Sequence, residues 1–188
     1  MAEVRGFRAL RYNEEKVGNL DKVITPPYDV INPQERAILA SKSPYNLVHV
    51  ILPNDRGDVN MYDAAAQDVE SWIRQSVLRQ DDADSFYLLK QTFRGLEGET
   101  HVRLNFFAVT RIPEPEETDT VLAHERTFDE KVTDRLHLTK ATQSNLGEVF
   151  VLYEDLKHEL AAFLGQMESR PEDMRAHTMD SVTQQIWR

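Results

Sequence analysis

Phe86-Tyr87-Leu88-Leu89-Lys90-Gln91-Thr92-Phe93-Arg94 and Thr100-His101-Val102-Arg103-Leu104-Asn105-Phe106-Phe107 are two aromatic-rich runs on either side of Gly95-Leu96-Glu97-Gly98. Aromatic and β-branched residues favour strands, and two glycines between such runs favour a tight reversal, so the stretch predicts a hairpin over 86–94 and 100–112. Upstream, residues 61–77 place Tyr62, Ala65, Ala66, Val69, Trp72, Ile73 and Val77 at steps of three and four, the period of an amphipathic helix. Asn60 is its candidate N-cap, and Trp72 falls on the apolar stripe as a core residue. Residues 155–167 repeat the helical pattern. A shorter helix is expected after Asn32-Pro33 toward Lys42, and another over 130–141. The short apolar runs 46–52 and 149–153 read as buried strands, and 7–12, 175–178 and 182–187 as further strand candidates. Strands and helices mix without regular βαβ alternation. This predicts an α+β fold, with a mixed, largely antiparallel sheet flanked by helices in one domain over 1–188.

The composition narrows the function. The 188 residues include 22 Lys and Arg against 32 Asp and Glu, a formal net charge of −10. Such a surface repels a phosphate backbone, so direct nucleic-acid binding is not expected, although one or two arginines can hold a phosphate locally. With no cysteine there is no disulfide, thiol nucleophile or iron–sulfur ligation. The six histidines show no metal-ligand spacing, so no metal site is expected. The start lacks a signal-peptide profile and no apolar run reaches membrane-helix length, which leads to the expectation of a soluble cytoplasmic protein. The proline-broken acidic stretch 113–119 reads as a surface loop. Phosphate-loop, dinucleotide-binding and nucleophile-elbow motifs do not occur.

Three segments bring chemistry-bearing residues together. In Thr25-Pro26-Pro27-Tyr28-Asp29-Val30-Ile31 two prolines fix two φ angles and make a stiff corner. The corner either presents Tyr28 and Asp29 to a ligand or is purely structural. In His124-Glu125-Arg126-Thr127, at the end of a predicted strand, Glu125 can take a proton from a hydroxyl and Arg126 can clamp a phosphate. Thr127-Phe128-Asp129-Glu130 also reads as a capping box, so a cap plus an ion pair is the other reading. In Thr133-Asp134-Arg135-Leu136, Arg135 shares a helix face with Thr139, and Thr142 lies a turn further on. These residues either face the second segment or line a solvated helix face. If the first and second segments form one cleft wall, Arg135 is expected within ion-pairing reach of Glu125 or Asp29.

Taken in order, Gly6-Phe7-Arg8-Ala9-Leu10-Arg11-Tyr12, the 25–31 corner, Ser43-Pro44-Tyr45-Asn46-Leu47-Val48, the 124–127 segment, Asp134-Arg135-Leu136 and Ala141-Thr142-Gln143-Ser144-Asn145-Leu146 resemble the N-terminal part of the bacterial domain-of-unknown-function family numbered 1015. The resemblance runs from about residue 4 to residue 155. That family is in turn similar to the ParB/sulfiredoxin-like group, in which some members are free serine kinases. The resemblance implies a nucleotide-dependent phosphotransferase acting on a small hydroxylated metabolite such as serine. Glu125 would be the base and His124 would orient it or contact the substrate, while Arg126, Thr127, Arg135, Tyr28 and Asp29 would contact substrate or phosphate. ATP or ADP with Mg2+ would be the cofactor. The Asp-Gly-His-His-Arg stretch of the kinase pattern does not occur here, and intact members are longer, so the chain is expected to be a portion of a longer architecture. The rival readings are a non-catalytic nucleotide-sensing or protein-interaction module and a ligand-free scaffold.

Overall fold

The computed structural model describes residues 2–117, 119–122 and 128–188. In chain order the elements are β1 (Val4–Arg5), β2 (Leu10–Tyr12), α1 (Glu14–Val17), α2 (Pro33–Lys42), α3 (Val48–Ile51), α4 (Met61–Arg74), β3 (Leu78–Gln80), β4 (Tyr87–Arg94), β5 (Thr100–Phe107), β6 (Val109–Thr110), α5 (Asp129–Thr142), α6 (Glu159–Met167), β7 (Met174–His177) and β8 (Thr183–Trp187). Two 3-10 turns, Leu20–Lys22 and Tyr28–Val30, punctuate the N-terminal part. The fold is α+β. Its main sheet has the order β5-β4-β8-β7, and β2-β3 and β1-β6 form two small ribbons. Every ladder among the described residues is antiparallel.

Local chemistry explains the element ends. Asn32 and Glu35 exchange side-chain and backbone bonds in a capping box, with Pro33 in the first turn of α2. The Asn60 carboxamide oxygen accepts the backbone N–H groups of Tyr62 and Asp63 and starts α4. In the hairpin turn Gly98 has φ +86°, a conformation that a side chain would strain, and its N–H donates to the Gly95 carbonyl at 3.0 Å.

Three clusters form the core. Ala65, Val69 and Trp72 of α4 pack against Val50 of α3, Leu138 of α5, Val77 and Leu78. Leu20, Val23 and Ala176 form a second cluster that joins the Leu20–Lys22 turn to β7. Leu88, Trp187 and Leu164 form a third, seating α6 on the main sheet.

Two strand expectations are corrected. Residues 46–52 contain the helix α3, because Asn46, fully buried, donates from its amide to the Lys22 carbonyl at 2.8 Å and accepts the Val48 N–H at 3.0 Å. That bond pattern coils the chain where an apolar run alone fits strand and helix equally. Asn46→Ala is therefore expected to leave buried backbone groups unpaired at a cost of about 1–3 kcal/mol. Denaturant titration should show a lower midpoint with an unchanged slope. Residues 149–153 join no ladder and are exposed, not buried. The last helix begins at Glu159, four residues later than its apolar pattern suggests.

Candidate functional site

The proline corner ends in the Tyr28–Val30 turn, and Pro27, at φ −53°, occupies its cap. This delivers the half-buried Tyr28 ring to α5. The Arg135 guanidinium carbon lies 4.1 Å from the Tyr28 ring centroid, a close cation–π stack. Arg135 also donates to the Ile51 carbonyl at 2.9 Å and, through Nε and a terminal nitrogen, to Asp134 Oδ2 at 2.9 and 2.5 Å. The second Asp134 oxygen accepts the Tyr62 hydroxyl at 2.9 Å. Tyr62 in turn meets the His137 ring edge-on, with centroids 5.4 Å apart. One polar network thus ties the corner, α3, α4 and α5. Partial burial raises the Tyr62 pKa, and the bond to Asp134 and its negative charge add to that, against the opposing charge of Arg135.

Beside this network is an open depression of about 570 Å3 between the start of α4 and the C-terminal half of α5, lined by Asn60, Tyr62, Asp63, His137, Lys140 and Ala141. Among the described residues, no group of three or more His, Asp or Glu side chains is placed to hold a metal ion. No helix among them is long and apolar enough to cross a membrane.

His124, Glu125, Arg126 and Thr127 lie outside the described residues. The chain enters α5 through Phe128, the N-cap, which offers no side-chain bond, so the helix starts one residue later than the expected box from Thr127 to Glu130. Val121 and Leu122 belong to no strand. Arg135 pairs with its neighbour Asp134, not with Asp29, which is exposed. Thr142 is buried, and its hydroxyl donates to the Leu138 carbonyl at 2.8 Å, a helix-internal role.

The family model described as a protein of unknown function, DUF1015, matches residues 4–188. The chain belongs to the DUF1015 family. No curated protein and no solved structure matches it. The match continues past residue 155, where the motif-based resemblance stops, and takes in β7 and β8 of the main sheet.

Two of the DUF1015 network residues escape sequence reasoning. Tyr62 reads as one more apolar-stripe residue of α4, and Asp134 is overshadowed by Arg135. Their contact spans 72 positions, and no local spacing announces it. In this DUF1015 chain, Tyr28→Ala should remove the stack on Arg135 and cost roughly 0.5–2 kcal/mol of stability, read by thermal denaturation. A change within error would mean that the ring merely covers the guanidinium.

Proposed function

We propose that this DUF1015 chain forms the substrate side of a nucleotide-dependent phosphotransferase acting on a small hydroxylated metabolite, with serine as the first candidate. Glu125 is the general base and His124 orients it. Arg126 and Arg135 neutralise phosphate charge, Thr127, Tyr28 and Asp29 contact the substrate, and ATP or ADP is used with Mg2+. The observation that supports this reading is the seating of Arg135 on Tyr28, which draws the proline corner against the helix that follows the 124–127 segment. Among the described residues the contacts of Arg135 use three of the five guanidinium N–H groups, leaving two for an anion.

The test is production of O-phosphoserine by the purified chain with serine, ATP or ADP and Mg2+. Removing a general base costs on the order of a hundredfold or more, so Glu125→Gln should lose at least that much turnover. Turnover no higher than in Glu125→Gln overturns the assignment. The second reading, a nucleotide-sensing or protein-interaction module without catalysis, draws on the same arginine, because Asp134 already neutralises it. Nucleotide binding by calorimetry with no phosphoryl transfer selects that reading.

A further inference from the structure

Val149-Phe150-Val151-Leu152-Tyr153 is an uncharged run of β-branched, aliphatic and aromatic residues without proline. All five are exposed, Val149 at 82% and Leu152 at 83%. A run of this kind is a strand in search of a partner and an aggregation hazard while it lacks one. Beside it stands β5, whose outer edge is unpaired among the described residues because β5 ends the order β5-β4-β8-β7.

Two side-chain contacts already join them. The Arg103 guanidinium carbon lies 5.5 Å from the Phe150 ring centroid, and the Phe106 and Tyr153 rings meet at 5.7 Å. Both contacts carry the same offset, in the same direction along both runs. In an antiparallel pair the second contact would fall on the opposite side of Phe150, so the offset specifies a parallel register. The faces agree as well. Phe106 sits opposite Leu88, which packs with Trp187, Leu104 and Leu164 of α6, and alternation puts Val151 and Tyr153 on that same face. Arg103 bonds Gln91 on the other face, where Phe150 lies. Parallel neighbours need a crossover of a dozen or more residues, and 108–148 supply one containing α5.

We propose that residues 149–153 are a strap that docks on the free edge of β5 as a parallel fifth strand, with Phe150 beside Arg103 and Tyr153 beside Phe106. Docking pairs the outward backbone groups of β5 and places Val151 and Tyr153 beside Leu104 and Phe106. Because the strap leads from α5 to α6, closing it ties the helix bearing Arg135 to the main sheet.

The chain has no cysteine, so paired thiols can test the register. In Asn105→Cys/Leu152→Cys the two positions are directly opposed in this register, within disulfide reach. In Phe107→Cys/Leu152→Cys they are shifted by two residues, beyond a Cα separation of about 7 Å. Under mild oxidation the opposed pair should close within one chain at least tenfold faster than the shifted pair. Equal rates, no closure, or a disulfide-linked dimer as the main product would overturn the proposal. Hydrogen exchange on the unsubstituted chain gives a second readout. Alternate amides of 149–153, those turned toward β5, should exchange at least tenfold more slowly than in an unstructured peptide, and exchange of all five at the unstructured rate overturns the strap.

Discussion

Asp81→Asn is expected to destabilise the fold by about 1.5–3 kcal/mol at neutral pH, the usual cost of losing hydrogen bonds to a charged group in a partly buried pair. Asp81 is buried and accepts two-pronged donation from Arg11, at 2.7–3.1 Å, and the Tyr87 hydroxyl at 2.5 Å. Tyr87 accepts the Ala9 N–H, and Arg8 donates to the Asp81 carbonyl at 2.7 Å. This hub accounts for the arginines of the Gly6–Tyr12 motif, which hold the first strands against β3 and β4 and have no need of a ligand. Burial pushes the Asp81 carboxyl up, but the bonds from Arg11 and Tyr87 and the charges of Arg11 and Arg188 outweigh it, and the net pKa is lowered. A carboxylate with a lowered folded pKa contributes its stability above its unfolded value, about 3.9, and loses it as pH falls through the folded value. Denaturant titrations should therefore separate the variant from the natural chain at pH 7, with a gap that begins to narrow below about pH 4 and closes only as pH falls through the lowered folded value. An equal gap at pH 7 and pH 3 would show that Asn fails there for shape and not for charge.

The sequence reveals what is locally encoded. Asn32 and Asn60 mark helix starts because a cap acts over three residues, and Gly98 marks the hairpin because a positive φ is a single-residue property. Residues 46–52 are misread because the decision belongs to a bond from Asn46 to Lys22, in another part of the chain. At the candidate site the Tyr28 corner and Arg135 are both legible as chemistry, and the corner meets the helix that bears Arg135, whereas the expected convergence of the corner with 124–127 falls outside the described residues. The partner of Arg135 is not legible. An adjacent carboxylate is the cheapest neutralising group, since it needs no loop closure, and the Tyr62 hydroxyl, 72 positions away, bonds its other oxygen.

Trp72→Ala is expected to cost about 3–5 kcal/mol, the range for deleting a buried aromatic ring from a close-packed core. For a chain of this size that lowers the melting temperature by roughly 6–20 °C. Trp72 is 3% exposed, its ring lies 6.2 Å from Tyr12 and 6.1 Å edge-on from Tyr45, and its cluster contains Leu138, which anchors α5. The loss should spread beyond that cluster. Tyr12, Val17 and Tyr45 pack against both the Trp72 cluster and the Leu20–Val23–Ala176 cluster, and Asp21 accepts the His177 N–H at 2.6 Å, tying the helical part to β7. Trp187, the chain's other tryptophan, lies in the third cluster, so in Trp72→Ala its fluorescence reports on the main sheet alone. If 1–188 is one cooperative domain, the Trp187 transition and the helical circular-dichroism transition will fall together. If the Trp187 transition stays at its original temperature while the helical signal drops, the sheet and the helical part melt as separate units. In that case Arg135 would owe its position to the α4–α5 packing alone, and a helical fragment should keep the Tyr28 contact.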